Sequence, residues 1–198
     1  MKAAAKAQRS EGKLSSDERL IALCRKGDQQ AWAELVDKYK NLIYSIPIKL
    51  GLFDDAADIF QSVCLDLLSN LQRLREPKAL PKWLMQVCYH KCLERKTSSA
   101  KQVALENDDA ELLAAEVPTA ALPEELLVQL QREQIVRNAV SALPTRCQRM
   151  VHMLFFESPA RPYQEIAREL GLSTGSIGFI RGRCLGRLKK QLETMGLQ

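Results

Sequence analysis

Apolar residues recur every three or four positions through most of this chain, the spacing that places them on one face of an α-helix. No segment alternates apolar and polar residues as a half-buried strand does, so the sequence predicts an all-α fold. The clearest stripe follows Asp28, a residue type that caps helices, and consists of Trp32, Leu35, Val36, Tyr39, Leu42, Ile43 and Ile46. Pro47 lacks the amide hydrogen that a helix interior needs, so we expect the helix to kink or end there.

The charges are segregated along the chain, although the formal net charge is only +5. Residues 102–125 contain seven acidic residues and no Lys or Arg, whereas residues 78–101 carry six basic residues against one acid. Residues 144–198 carry nine basic residues against four acids. We therefore predict a flexible basic tail over 1–14, a helical domain over 15–100, an acidic linker over 101–125 and a second helical domain over 126–198. Solvated faces on an ordinary helical protein are the alternative interpretation.

No stretch reaches the ~20 apolar residues of a membrane span, and residues 1–13 lack the apolar core of a secretion signal. We expect a cytoplasmic protein that does not bind membranes. The six cysteines are then expected to be reduced and mostly buried: Cys24, Cys64, Cys88, Cys92, Cys147 and Cys184. Cys88, His90 and Cys92 lie close in sequence, but a closed zinc site needs four ligands, so we expect no metal and no cofactor.

The most specific pattern covers residues 163–188. Ile166, Ala167 and Leu170 predict a short helix, Gly171 a turn with positive φ, and Ser173 the cap of a second helix. The second helix is predicted to turn an apolar face inward, formed by Ile177, Ile180, Cys184 and Leu188. Its outward face carries Gly178, Phe179, Gly182 and Arg183, and the basic residues Arg187, Lys189 and Lys190 follow. Two short helices joined by a glycine turn, the second with a basic free face, predict a DNA-binding helix-turn-helix. A plain helical hairpin is the alternative.

Together with Leu143-Pro144, residues 147–188 resemble region four of bacterial extracytoplasmic-function (ECF) sigma factors, and the stretch from Gly175 to Leu185 is similar to the recognition helix of one branch of that family. The first domain resembles region two at Asp55-Ala-Ala-Asp-Ile-Phe-Gln-Ser-Val and at Pro81-Lys-Trp-Leu. Both matches follow the order and spacing of the family and together cover most of the chain. The chain departs from the family at His90, where an Asn is usual, in a shorter run of basic residues after Arg95, and at Pro159 and Pro162.

The resemblance implies a sigma factor, which binds core RNA polymerase, recognises promoter DNA and is not an enzyme. The polymerase clamp would bind Asp58, Gln61 and Leu65. Region two would bind and melt the upstream-ten element through Lys78, Lys82, Tyr89, His90, Lys91, Arg95 and Lys96. Region four would read the upstream-thirty-five element through Ser173, Thr174, Ser176, Gly178, Phe179, Gly182, Arg183 and Arg187. The family also admits an anti-sigma protein as a partner.

Two other functions stay open at this point. A self-sufficient helix-turn-helix regulator would use the same DNA-binding domain, with the first domain as a sensor, and a helical adaptor would bind no DNA. An enzyme is disfavoured because the chain has two histidines and no nucleophile motif or phosphate-binding glycine loop. We interpret Trp83 as a core anchor rather than a base-stacking ring, because the large apolar area of tryptophan favours packing.

Overall fold

The computed structural model describes residues 16–107, 120–159 and 161–197. Within these ranges every regular element is a helix, which confirms the predicted all-α class. The predicted tail over 1–14 and residues 108–119 of the predicted linker lie outside the described residues. The chain divides into two compact units, residues 1–127 and 128–198, and each is described by itself.

The first unit is built around one long central helix. In chain order its elements are α1 (Ser16–Cys24), α2 (Gln29–Lys49), α3 (Ala56–Asn70), the 3-10 turns Leu71–Arg73 and Pro77–Ala79, and α4 (Leu80–Asn107). α2 contacts α1, α3 and α4, and its side chains Leu35, Leu42 and Ile46 are fully buried. The amphipathic stripe read from the sequence is therefore the core of this unit.

Local chemistry sets both ends of α2. Asp28 caps the helix as predicted, because its Oδ1 accepts hydrogen bonds from the amides of Gln30 (2.9 Å) and Ala31 (3.0 Å). Pro47 does not end the helix, which continues to Lys49. Pro47 is buried with the apolar side chains before it, and this packing offsets the one backbone hydrogen bond that proline removes.

A buried hydroxyl ties α1 to α2. The hydroxyl of Tyr39 donates to Asp17 Oδ2 at 2.9 Å, and Lys38 Nζ lies 2.7 Å from Asp17 Oδ1. Burial, with the nearby carboxylate of Asp17, raises the pKa of Tyr39, so the phenol stays a neutral donor. The short helix α1 thus has a polar anchor in addition to its buried Leu20 and Ile21.

The second unit is a smaller helical cluster. Its elements are α6 (Thr145–Phe155), α7 (Tyr163–Glu169), the 3-10 turn Thr174–Ser176 and α8 (Ile177–Thr194), while α5 (Glu124–Ser141) spans the division between the units. Its core combines the inner faces of α6, α7 and α8 with residues just outside these helices. Its members are Leu143, Cys147, Met150, Val151, Met153, Ile166, Ala167, Leu170, Ile177 and Cys184.

The expectation that all cysteines are reduced is wrong for two of them. Cys147 on α6 and Cys184 on α8 form a disulfide that joins positions 37 residues apart, with their Cα atoms 5.3 Å apart. The spacing of the cysteines does not indicate this pair, because only the packing of α6 against α8 brings the two sulfurs together. Cys24, Cys64, Cys88 and Cys92 are free.

Two adjacent leucines on α3 test the orientation of this helix. Leu67 is 3% exposed and Leu68 is 57% exposed. We expect Leu67→Ala to lower the free energy of unfolding by about 2–5 kcal/mol, because it leaves a cavity in the core. Leu68→Ala should change it by about 0.5 kcal/mol or less. Urea unfolding followed by tryptophan fluorescence reports on the first unit, which contains both tryptophans, Trp32 and Trp83. Equal losses for the two variants would contradict this orientation.

Candidate nucleic-acid interface

The side of α3 that faces away from the core carries a mixed polar and apolar stripe. The positions predicted to face inward are buried: Ile59, Val63 and Leu67. Asp58, Gln61 and Leu65, which the resemblance assigns to polymerase, are exposed on the other side. Leu68 extends this stripe and was missed, although its spacing of three residues from Leu65 was a usable signal. The stripe is a partner-binding candidate because large exposed leucines among polar residues are typical of interfaces.

The segment between α3 and α4 borders a cavity of about 300 Å³. Leu71, Leu74 and the half-buried ring of Trp83 line it, and the exposed side chains of Arg73 and Arg75 also contribute. Trp83 is thus only partly buried, and its side chain forms part of the cavity wall. Its interpretation as a core anchor stays a prediction.

Arg25 holds that segment in place. Its Nε donates to the carbonyl oxygen of Leu71 at 3.1 Å, and its Nη2 donates to that of Leu74. The side-chain Nε2 of Gln72 donates a hydrogen bond to the carbonyl oxygen of Arg25 at 3.1 Å. The two hydrogen bonds from Arg25 satisfy backbone carbonyls of the segment that follows α3. The wall of the cavity is thus fixed from outside α3 and α4, and neither helix signals this in the sequence.

The residues predicted to bind the upstream-ten element differ in their exposure. Lys78, Lys82 and Lys96 are exposed. Tyr89, in contrast, is only 8% exposed and packs in the core, so its ring is not available at the surface. The prediction placed Tyr89 near the melted strand, but α4 directs this side chain inward.

Two more members of that set are paired with acids on or beside α3. Lys91 Nζ lies 3.2 Å from Asp66 Oδ2, and Arg95 Nε lies 2.6 Å from Asp55 Oδ1. Partial burial would lower the pKa of Lys91, but the carboxylates of Asp66 and Glu94 outweigh it and raise that pKa. Lys91 and Arg95 therefore connect α4 to α3 rather than present free charge.

His90 is in contact with the segment that follows the predicted linker. Its Nε2 lies 2.9 Å from Gln86 Nε2 and 3.2 Å from the carbonyl oxygen of Ala120. The amide of Leu122 donates to Gln86 Oε1 at 3.2 Å, and the side chain of Leu122 is buried. Residues 120–122 therefore lie along the face of α4 that carries Gln86 and His90.

Gln86→Ala tests this contact. The substitution removes the acceptor of the Leu122 amide, so we expect the exchange of that amide with solvent to accelerate about 2–12-fold, the effect of losing a hydrogen bond worth about 0.5–1.5 kcal/mol. Gln129→Ala, on the exposed side of α5, is the matched control and should leave the Leu122 amide unchanged. Unchanged exchange at Leu122 in Gln86→Ala, measured by amide NMR, would contradict the docked position of residues 120–122.

In the second unit, a tight turn joins α7 to α8. Gly171 has φ +63°, as predicted, and the buried Ile166 and Ala167 fix α7 against the core. Ser173 does not cap α8, because a 3-10 turn intervenes and the Ser173 hydroxyl donates to Ser176 Oγ at 3.0 Å. α8 therefore begins at Ile177, later than the sequence suggested.

The two faces of α8 are as the periodicity predicts. Ile177 and Cys184 are buried, and Ile180 and Leu188 pack against the same core. The opposite side exposes the predicted positions Gly178, Phe179, Gly182 and Arg183. The Arg183 guanidinium lies 5.7 Å from the centroid of the Phe179 ring, and this cation–π contact holds two large side chains together on the exposed face.

A line of glycines on α8 and the turn before it is a feature that the prediction noted only in part. Gly175, Gly178, Gly182 and Gly186 follow each other at steps of three and four residues. A β-carbon at any of them would meet no atom of the described chain within 4 Å, apart from the immediate neighbours and the backbone of the same helix. Packing within the unit therefore does not require these glycines. They leave bare backbone along the side of α8 that faces away from the core.

Several charged side chains on and around α7 have partners within the unit. Glu169 is paired with Arg149 at 3.1 Å and with Arg161. The hydrogen bond from Arg149 and the charge of Arg161 lower the pKa of Glu169. Arg181 donates to the hydroxyl of Tyr163. Arg183, whose close contact is a neutral ring, therefore differs from these arginines, which are held by polar groups.

Comparison with known proteins adds independent information. No family model matches the chain. The ECF RNA polymerase sigma factor SigW of Bacillus subtilis (strain 168) is 24% identical over 184 residues, which cover 88% of this chain and 96% of SigW. The ECF RNA polymerase sigma-E factor of Escherichia coli (strain K12) is 24% identical over 168 residues, 82% of this chain and 86% of that protein. The RNA polymerase sigma-H factor of Bacillus licheniformis is 26% identical over 195 residues, 89% of this chain and 86% of that protein.

The chain is similar to ECF sigma factors over most of its length. This finding confirms the resemblance that the motifs carried and supports the general role of a sigma factor. Among the described residues, no group of three potential metal-ligating side chains occurs, and no helix is long and apolar enough to cross a membrane.

Proposed function

We propose that this chain is a sigma factor that binds core RNA polymerase and directs it to promoters, with one unit for each promoter element. The observation that carries the proposal is the placement of two exposed faces in different units. The first unit exposes the stripe on α3, and the second exposes the outer face of α8. One chain thereby offers a protein-binding face and a DNA-binding face that do not compete for the same helix.

Polymerase binding is assigned to Asp58, Gln61 and Leu65, with Leu68 extending the contact. Leu65 is 58% exposed, and an exposed leucine between polar groups suits a partner surface with an apolar centre and a polar rim. α3 is anchored through its inner leucine and β-branched side chains, so the outer stripe can change without loss of the core.

The upstream-ten element and its melted strand are assigned to the first unit. The exposed Lys78, Lys82 and Lys96 would attract phosphates. The cavity beside Trp83 offers an aromatic wall with nearby arginines, the combination that holds an unstacked base. His90 would contact the strand only after residues 120–122 leave α4. Lys91 and Arg95 are paired with acids, so they would contact the strand only through the parts of their side chains that stay exposed. Tyr89 supports the helix from the core.

The upstream-thirty-five element is assigned to α8 in the major groove. Arg183 is the candidate for a guanine edge, and Phe179 can contact the methyl group of a thymine. Ser173, Thr174 and Ser176 lie at the N-terminal end of the helix, where phosphate is favoured. The exposed glycines Gly178 and Gly182 let the helix backbone approach the DNA closely. Arg187 is assigned to a phosphate at the far end.

Arg183→Ala should weaken promoter binding by about 1–3 kcal/mol and relax the preference at one base, because a bidentate contact to guanine is lost. Lys190→Ala is the matched control, because this exposed side chain further along α8 would contact phosphate only. That variant should weaken binding to all sequences alike and make the salt dependence shallower. Promoters selected from a random library with core polymerase measure both effects. A uniform loss in Arg183→Ala would make Arg183 a phosphate contact.

The sigma-factor proposal is tested by footprinting and run-off transcription with and without core polymerase. The free chain should bind promoter DNA with a Kd of about 10⁻⁴–10⁻⁶ M and little sequence preference, since each unit offers few phosphate contacts. Adding core enzyme should give a specific, opened complex. Asp58→Lys and Gln61→Lys should abolish it without unfolding the protein.

Asp37→Lys is the matched control, because it makes the same charge change as Asp58→Lys at an exposed position of α2 away from the stripe. It should leave the opened complex intact. Tight, sequence-specific footprints from the free chain that core enzyme does not alter would instead identify a self-sufficient helix-turn-helix regulator.

A further inference from the structure

The disulfide lies at the point where α8 is held to the rest of its unit. Cys184 is one of the two buried residues of α8, together with Ile177, and Cys147 is buried on α6. Ile180 and Leu188 are only partly buried against this core. The covalent bond is therefore a principal attachment of the helix that the proposed function places in the major groove.

α8 depends on this attachment because its own sequence disfavours a helix. Gly178, Gly182 and Gly186 are helical glycines, and each costs about 1 kcal/mol relative to alanine in an exposed helix interior. Their outer sides contact nothing in the described part of the unit that could compensate. A helix with this composition relies on its inner face to stay ordered, and the disulfide is part of that face.

The surroundings of the disulfide favour its opening by a thiol. Arg187 Nη1 lies 4.0 Å from Cys147 Sγ, and a guanidinium beside a sulfur stabilises the thiolate that forms when the bond breaks. A thiolate leaves more readily when it is stabilised, so attack on the Cys184 sulfur with departure of Cys147 is the favoured direction. Arg187 is exposed, but Cys147 and Cys184 are both buried, so the thiol reaches the Cys184 sulfur when α8 opens locally.

We propose that Cys147 and Cys184 form a redox-controlled crosslink that switches α8 between a more ordered and a less ordered state. The switch would thereby control the reading of DNA by α8, and this consequence rests on the proposed function. The exchange partners are low-molecular-weight thiols and their disulfides. One thiol attacks the Cys184 sulfur, forms a mixed disulfide and releases the Cys147 thiolate, which takes up a proton. A second thiol attacks the mixed disulfide and releases the Cys184 thiol and one low-molecular-weight disulfide. The pair is thus reduced by two thiols, and the reverse reaction restores the crosslink.

The first experiment follows the full chain in glutathione buffers of different ratios. Alkylation and mass spectrometry should show Cys147 and Cys184 changing together and reversibly, while Cys24 and Cys64 stay alkylatable throughout. Amide exchange of residues 177–194 should accelerate at least about tenfold on reduction, because the crosslink no longer restricts the chain between positions 147 and 184. Residues 29–49 of α2 should exchange equally in both states. Exchange of α8 that is the same in both states would overturn the proposal.

Variants separate the crosslink from nonspecific effects of the thiol. Cys147→Ala with Cys184→Ala should show the fast exchange of reduced α8 in every buffer and no response to glutathione. Cys64→Ser, a change at a half-buried free cysteine of the first unit, should keep the full response. If the double variant does not fold, the wild-type chain in the two buffers still decides the question, since it needs no substitution. A response that persists in the folded double variant, or that is lost in Cys64→Ser, would overturn the assignment to this pair.

Run-off transcription with core polymerase on a random promoter library tests the consequence for function. The oxidised chain should enrich promoters that carry a preferred upstream-thirty-five sequence. For the reduced chain, this enrichment should be at least about tenfold lower. Equal enrichment in both states would overturn the switch and leave the sigma-factor proposal intact. If α8 responds to glutathione but no promoter-dependent RNA forms in either state, the sigma-factor proposal fails while the redox control of α8 stands.

Discussion

The burial of one face of α2 is the interaction on which the first unit depends. Leu35, Leu42 and Ile46 are fully enclosed, and α1, α3 and α4 each pack against this helix. Because the three helices use their apolar faces for α2 and for one another, much of their outer surface is not needed for the core. The stripe on α3 with Asp58 and Leu65 can therefore carry residues chosen for a partner.

The second unit also leaves the outer face of one helix free, but it does so with a smaller core. α8 buries only Ile177 and Cys184 completely, and its outer face offers glycines that stabilise nothing within the unit. The covalent bond to Cys147 supplies what a larger core would supply elsewhere, since small domains commonly need a crosslink when apolar burial is limited. The glycines that would let DNA approach α8 closely therefore lower the stability of that helix.

Sequence reasoning succeeded where the answer depends on neighbours within one helix. The periodicity placed Val63 and Ile177 in the core, and residue type alone identified the cap at Asp28 and the positive φ of Gly171. It failed where the answer depends on a second element. Tyr89 is buried, Arg95 is paired with Asp55, and Cys147 meets Cys184, and each of these contacts joins positions that no local pattern relates. The cavity beside Trp83 was missed for the same reason.

Under the proposed function, each unit contributes only part of the contact with a promoter. Cations in the first unit are partly committed to carboxylates on or near α3, and those around α7 are committed to Glu169 and to Tyr163. The exposed cations that remain for the proposed DNA contacts include Lys78, Lys82 and Lys96 in the first unit and Arg183, Arg187 and Lys190 in the second. Two weak binding elements on one chain gain affinity only when a third body fixes the distance between their sites. If core polymerase docks on the stripe of α3, as we propose, it is the body that would fix this distance and let the two proposed DNA-binding faces act together.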